Sequence, residues 1–164
     1  MMAVGSILLN YDDDRLVPMY GFGAKPKFPN LFSKQTQHCF SLTGNPNDAN
    51  AHDMEGMMSV YSNALKQVEL AGPTLFNPLI SDACKIAQDY KASGSDTYII
   101  LLILTDGEIH DMNNTINSII GAAHLPISII IIGIGNADFG KMVTLDGDDG
   151  LWNHQGVKAQ RDLV

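Results

Sequence analysis

Apolar positions along this chain follow two rhythms, and the change between them is sharpest from Tyr98 to Ile132. Tyr98 to Leu104 is an unbroken apolar run without a charge. Short, rich in isoleucine and opened by an aromatic, it has the pattern of a strand buried on both faces. The run stops at Thr105-Asp106-Gly107. Met112, Ile116, Ile119, Ile120 and Ala123 then recur at helical spacing, with Asp111 placed as N-cap. Pro126 closes that segment, and Ile127 to Ile132 forms a second buried run. Strand, helix, strand is a βαβ unit, which predicts a parallel pair joined by a right-handed crossover.

The same patterns place the remaining elements. Val4, Ile7 and Leu8 predict a helix over Met1 to Leu9, and Tyr11 to Asp14 an acidic turn. Leu16 to Ala24 reads as one strand, Lys25 to Asn30 as a Pro-containing loop, and Gln37 to Leu42 as a short edge strand. Asp53 is placed to cap a helix whose apolar stripe is Met54, Met57, Met58, Tyr61, Ala64, Leu65 and Val68, the spacing of a core-facing helix rather than a methionine groove. Leu70 to Thr74 reads as a tight turn. Leu75, Leu79, Ile80, Ala83, Ile86, Ala87 and Tyr90 predict a further helix, with Pro78 tolerated in its first turn. Asp138 to Leu145 predicts a short helix before a polar, glycine-rich tail carrying Trp152.

Composition narrows the function classes. The 164 residues suffice for a single domain with a substantial core, 45% of them are hydrophobic and 17% charged, and the net charge is −8. That charge argues against nucleic acid and against direct adhesion to an anionic membrane surface. Cys39 and Cys84 match no metal or redox spacing and read as reduced thiols of a cytosolic protein. No apolar run approaches the roughly 20 residues of a membrane span, and no signal peptide is evident at the N-terminus.

Candidate chemistry concentrates on Asp106. In open α/β sheets, ligands bind where strands hand over to loops, and a buried strand holds this carboxylate at such a point. Thr74, at the start of a predicted helix, is placed either as its N-cap or as a hydroxyl ligand to a hard metal. Asp12-Asp13-Asp14 reads as a solvated turn. Asp146-Gly147-Asp148-Asp149-Gly150 fails the EF-hand pattern, because Leu151 and Val157 stand where glycine and glutamate are needed. The histidines show no paired metal spacing, and no nucleophile elbow, phosphate loop or dinucleotide fingerprint is present.

Several segments together resemble the A domain of the copines, a branch of the von Willebrand factor A fold. They are Tyr-Asp-Asp-Asp (11–14), Gly-Phe-Gly-Ala (21–24), Gly-Pro-Thr (72–74), Leu-Thr-Asp-Gly (104–107), His-Leu-Pro-Ile-Ser-Ile-Ile-Ile-Ile-Gly-Ile-Gly (124–135) and Leu-Asp-Gly-Asp-Asp-Gly (145–150). The resemblance implies a Rossmann-like α/β fold over residues 1–164: a mostly parallel sheet with helices on both faces. It implies a cytoplasmic, non-enzymatic interaction module. Such a module recruits target proteins, while calcium-dependent phospholipid binding belongs to domains absent from this chain. It also implies a metal-ion-dependent adhesion site, in which Thr74 matches the threonine and Asp106 the later aspartate. Magnesium, manganese or calcium is the implied cation.

The chain departs from the family pattern in ways that carry expectations. The first, central strand of the fold, ending in an aspartate followed by hydroxyl residues, is missing ahead of Met1, and the chain stops where a last strand would start. With Thr74 and Asp106 alone, magnesium binding is expected to be weak or absent. A gap between Leu16–Gly21 and Tyr98–Leu104 would leave edges unpaired, so marginal stability, direct pairing across the gap or self-association is expected. The alternative reading is a receiver-like domain that accepts a phosphoryl group on Asp106, with Asp12 and Asp13 as its acidic pair, although the long Asp13–Asp106 separation fits it poorly. A ring-type zinc cluster, as in copine-like ubiquitin ligases, is lacking.

Overall fold

Proline and glycine divide the first half of the chain into short antiparallel pieces, whereas the second half sustains long elements. The computed structural model describes residues 2–147 and 150–164. Among these the fold is mixed α/β, with five α-helices and small sheets. Chain contacts separate a unit Met1–Pro73 from a unit Thr74–Val164.

In the first unit, α1 (Met2–Leu8) runs into a 3-10 turn at Leu9–Tyr11, as its spacing predicts. Leu9, rather than Ile7, is the buried residue here. In the acidic turn that follows, Asp14 accepts a hydrogen bond from the Leu16 amide (2.9 Å), and partial burial, then Asp14, pushes the Asp12 carboxyl up. The expected single strand over 16–24 is instead β1 (Leu16–Pro18), β2 (Tyr20–Gly21) and the start of β3 (Ala24–Phe28). The cause is a change of partner at Met19. Its amide bonds to the Ala49 carbonyl and its carbonyl accepts from Leu42. Of the strands that follow, β4 is Leu31–Phe32, β5 Phe40–Ser41, β6 Asn50–His52 and β7 Val68–Leu70. β1 therefore pairs with β6 and β2 with β5, both antiparallel.

Of the loop expected over residues 25–30, only Pro29 and Asn30 form a turn, and residues 25–28 are strand. β3 runs through Pro26, which is tolerated because β7 flanks Ala24–Pro26 while β4 flanks only Lys27 and Phe28. α2 (Asp53–Ala64) stops one turn earlier than its stripe suggests. Met57 and Ala64 are buried, Leu65 is 54% exposed, and Val68 reaches a core cluster from β7 instead. Asp53 does not cap α2. It sits at φ +56°, its amide bonds to the Arg15 carbonyl, and its carboxylate pairs with Arg15 and His52.

On the β3–β7 surface Glu69 pairs with Lys27 and Lys25. Their hydrogen bonds, that of Lys27 foremost, hold its carboxyl below the ordinary 4.5. A depressed carboxyl stabilises the fold above its unfolded value, and that contribution disappears as pH falls through the folded value. Glu69→Gln is therefore expected to flatten the acid limb of the stability profile, read from urea midpoints between about pH 3 and pH 6, by lowering the neutral end slightly and leaving the most acidic points unchanged.

The second unit contains the expected βαβ. β8 (Ile99–Thr105), α4 (Met112–Ala122) and β9 (Ile127–Gly133) follow one another, and β8 and β9 pair in parallel from Ile99↔Ile127 to Thr105↔Gly133. This is the one parallel pairing among the described residues, so the expected mostly parallel sheet is seen only here. All described pairs of the first unit are antiparallel, whereas the α4 crossover provides the long connection that a parallel pair needs. The expected pairing across a gap is not what β1 and β2 do, since both find partners in their own unit. Nor is β8 buried on both faces. Ile103, Thr105, Ile127 and Ile129 are buried on one face, while Ile100 on the other is 43% exposed.

α3 (Asn77–Ala92) packs on α4 and β8, and α5 (Gly140–Asp146) follows β9. Arg161 fixes the tail by donating to the carbonyls of Ala123 (3.0 Å), Leu125 (2.8 Å) and Ile127 (2.6 Å). Lys158 lies over the half-exposed Trp152 ring, 5.4 Å from its centroid. Neither Cys39 nor Cys84 is in a disulfide, and burial pushes the Cys84 thiol up. No described helix is long and apolar enough to cross a membrane.

Candidate functional site

At the end of β8 the chain keeps its strand rhythm for several residues. Thr105, Gly107 and Ile109 are buried, while Asp106, Glu108 and His110 are exposed. Buried anchors thus alternate with presented polar groups. Thr105 accepts the Gly107 amide on its hydroxyl (3.2 Å) and the Ile134 amide on its carbonyl (2.8 Å). Gly107 takes φ +101°, and a Cβ there would come within 3.0 Å of the Asp138 carbonyl and the Phe139 ring. Glycine is required for both reasons.

The N-terminus of α3 closes onto this loop. The Thr74 amide donates to His110 Nδ1 (3.1 Å), and the His110 amide donates to the Thr74 carbonyl (2.9 Å). Nδ1 is therefore the unprotonated nitrogen, and Nε2 lies 3.2 Å from Glu108. Asp111 performs a task its position alone does not announce. Standing before α4, it accepts the Phe76 and Asn77 amides (3.0 and 2.9 Å), which begin α3, and also the Thr115 hydroxyl (3.2 Å). A carboxylate suits the positive end of that helix. Thr74 is thus not the cap of α3. The capping group comes from the loop that carries Asp106.

Asp106 lines an open cleft of about 420 Å³ with Gly107, Glu108, Ala137, Asp138 and Lys141. Asp138 is turned to the α5 start by the Gly140 amide (2.8 Å), and Lys141 Nζ donates to the Ile109 carbonyl (3.0 Å). The carboxylate of Asp106 and the hydroxyl of Thr74 have no protein partner among the described residues. The structure ties Thr74 to His110 of the Asp106 loop, while the cleft itself is lined by other residues. Glu108, Asp138 and Lys141 were not singled out by sequence. The signal for Glu108 was the alternation after Thr105, and Asp138 and Lys141 arrive only through the fold.

A hard divalent cation takes about six oxygen ligands. No group of three or more acidic, histidine or cysteine side chains able to hold a metal occurs among the described residues, and the cleft contains the Lys141 ammonium. Thr74 and Asp106 alone do not fit a tight site. The alternative calcium loop includes Asp148 and Asp149, which lie outside the described residues.

The chain is thus a mixed α/β protein in which a fixed loop after a parallel strand presents the Asp106 carboxylate, at the kind of rim where open α/β sheets bind ligands. The family profile described as Copine matches residues 1–164, and the chain belongs to the copine family. It is 43% identical over 166 residues to Protein BONZAI 1 and 42% identical to Protein BONZAI 2, both of Arabidopsis thaliana, with all of this chain and 28% of each relative covered. To Copine-A of Dictyostelium discoideum it is 40% identical over 162 residues, covering 99% of this chain and 26% of the relative. The chain thus spans little more than a quarter of the curated relatives it matches.

Proposed function

We propose that residues 1–164 form a copine-type A domain of von Willebrand factor A-like fold. It acts as a non-enzymatic protein-interaction module of a calcium-dependent phospholipid-binding protein. The observation that carries this reading is the loop from Thr105 to Asp111, fixed by four hydrogen bonds to the Thr74–Asn77 segment while the Asp106 carboxylate stays free. A preorganised, unpaired carboxylate at a strand end loses little freedom on binding. Thr74 and Asp106 are the partial adhesion site, and Asp106 is the group offered to a target protein. Whole-chain similarity to copines supports this over the receiver-like alternative. The full protein works in the cytoplasm and moves to membranes through domains outside this chain.

Quantitative affinity capture from cell extract tests the reading. Wild-type chain is expected to enrich a set of proteins that Asp106→Ala loses, and identical captured sets would contradict it. The division of labour is tested separately. With a net charge of −8, this chain is expected to stay in solution when phosphatidylserine vesicles are sedimented, with or without calcium. Calorimetric titration with magnesium is expected to give no saturable heat below about 1 mM, and a micromolar site would overturn the partial-site reading.

A further inference from the structure

The sheet β4–β3–β7 of the first unit has two unlike faces. One carries Ala24, Pro26 and Phe28, all buried. Ala24 and Phe28 join Phe40 and Ala64 in a core cluster, with Leu31 and Val68 packed against it. The unit's own residues therefore close that face. Alternation sends Lys25 and Lys27 to the other side. Residues paired across strands share a face, so Glu69, opposite Lys25, and Phe32, opposite Lys27, stand beside them. This outer face belongs to a layer whose core side is already packed, and no strand edge has to be open to expose it.

Two features set the outer face apart from an ordinary solvated surface. It presents an aromatic ring, Phe32, that is 64% exposed. Its charge is also opposite in sign to that of the whole chain. The chain carries −8, yet from Arg15 to Asn47 it contains Arg15, Lys25, Lys27 and Lys34 and no aspartate or glutamate. Exposed Lys34 lies just beyond β4 and exposed Lys66 just before β7. Glu69 is the one acidic residue of the three strands. The face already holds a carboxylate: Glu69 Oε1 accepts from Lys25 Nζ (3.2 Å) and Glu69 Oε2 from Lys27 Nζ. Two ammonium groups thus converge on one anionic group. Exposed pairs of this kind contribute little, so an incoming carboxylate displaces Glu69 at small cost.

We infer that the outer face of β4–β3–β7 is a docking surface for an acidic segment of a target protein. Lys25, Lys27 and Lys34 receive its carboxylates, and Phe32 packs on an apolar side chain between them. The inference rests on the interaction-module reading and names the chemistry of the partner. Glu69 then acts as an internal competitor that a stronger acidic segment displaces. A short segment senses this face within a Debye length, about 8 Å at physiological salt. A second copy of the chain would instead bring its own −8 against the same charge.

The test uses the whole chain and a fluorescein-labelled peptide repeating Glu-Glu-Leu, followed by fluorescence polarisation at low salt, with each variant's folding checked by circular dichroism. Saturable binding is expected, and a Gln-Gln-Leu repeat is expected not to bind. Lys27→Glu and Lys34→Glu are each expected to weaken binding by at least about tenfold, a difference that shrinks as salt is added. Phe32→Ala is expected to weaken it by about threefold or more, the loss of a packed ring edge. Glu69→Gln removes the competitor and is expected to tighten binding by about threefold. Lys85→Glu, a reversal on an exposed turn of α3, is expected to change it by less than about twofold. No saturable binding, equal losses for Lys85→Glu and Lys27→Glu, or weaker binding by Glu69→Gln would overturn the inference. Phosphatidylserine vesicles that sediment the wild-type chain but not Lys27→Glu would also overturn it, by making a lipid headgroup the occupant. So would a self-association that Lys27→Glu abolishes, by making a second copy the occupant. If the peptide fails while Asp106-dependent capture persists, only this inference fails. If the peptide binds while capture is indifferent to Asp106, the fault lies in the adhesion-site reading.

Discussion

Asp111→Ala is expected to lower the unfolding free energy by about 2–4 kcal/mol, from the loss of a charged cap and the orphaning of half-buried donors. The carboxylate accepts the Phe76 and Asn77 amides and the Thr115 hydroxyl. Alanine leaves all three without that acceptor and removes a negative charge from the start of a 16-residue helix. Asp111→Asn retains one acceptor oxygen and is expected to fall between wild type and alanine. Urea denaturation followed by circular dichroism measures both. A loss below about 0.5 kcal/mol, the range of an ordinary surface change, would show that the cap is not what holds α3 to the Asp106 loop.

Phe76→Ala is expected to cost more, about 3–5 kcal/mol, because it empties a fully packed site. Phe76 has 0% exposure and stands at the entry to α3, beside Ile80, also at 0%. Its ring anchors the segment whose amide Asp111 receives. The two substitutions therefore act on one junction, and their effects should combine to less than the sum. Phe76→Leu, which keeps much of the apolar volume, is expected to recover a large part of the loss. Equal losses for leucine and alanine would point to an aromatic contact rather than volume.

The βαβ unit was legible in the chain because its signals are local. Tyr98–Leu104 and Ile127–Ile132 are apolar runs bounded by turn residues, and Met112, Ile116 and Ile119 keep the helical period between them. The first unit was harder to read because its strands change partners within a few residues. Met19 is bonded to Ala49 just before β6 and to Leu42 just after β5, and Pro26 occupies a strand whose two neighbours never flank it together. Local pattern carries no information about such hand-overs. The same limit applied at the site. Thr74 and Asp106 stood out as residue types at element ends, but the true cap of α3 is 35 residues away in sequence at Asp111. Lys141 enters the cleft only because α5 follows β9 there.

The central claim, that Asp106 and Thr74 form one recognition surface on a fixed rim, is tested most directly by titrating the wild-type chain, Thr74→Val, Asp106→Ala and the double variant against one purified captured protein. Folding of each variant is checked first by circular dichroism. Both single variants are expected to weaken binding by at least about tenfold, roughly 1.4 kcal/mol, with the double variant little worse than the weaker single. Unchanged affinity in both well-folded single variants would contradict the claim.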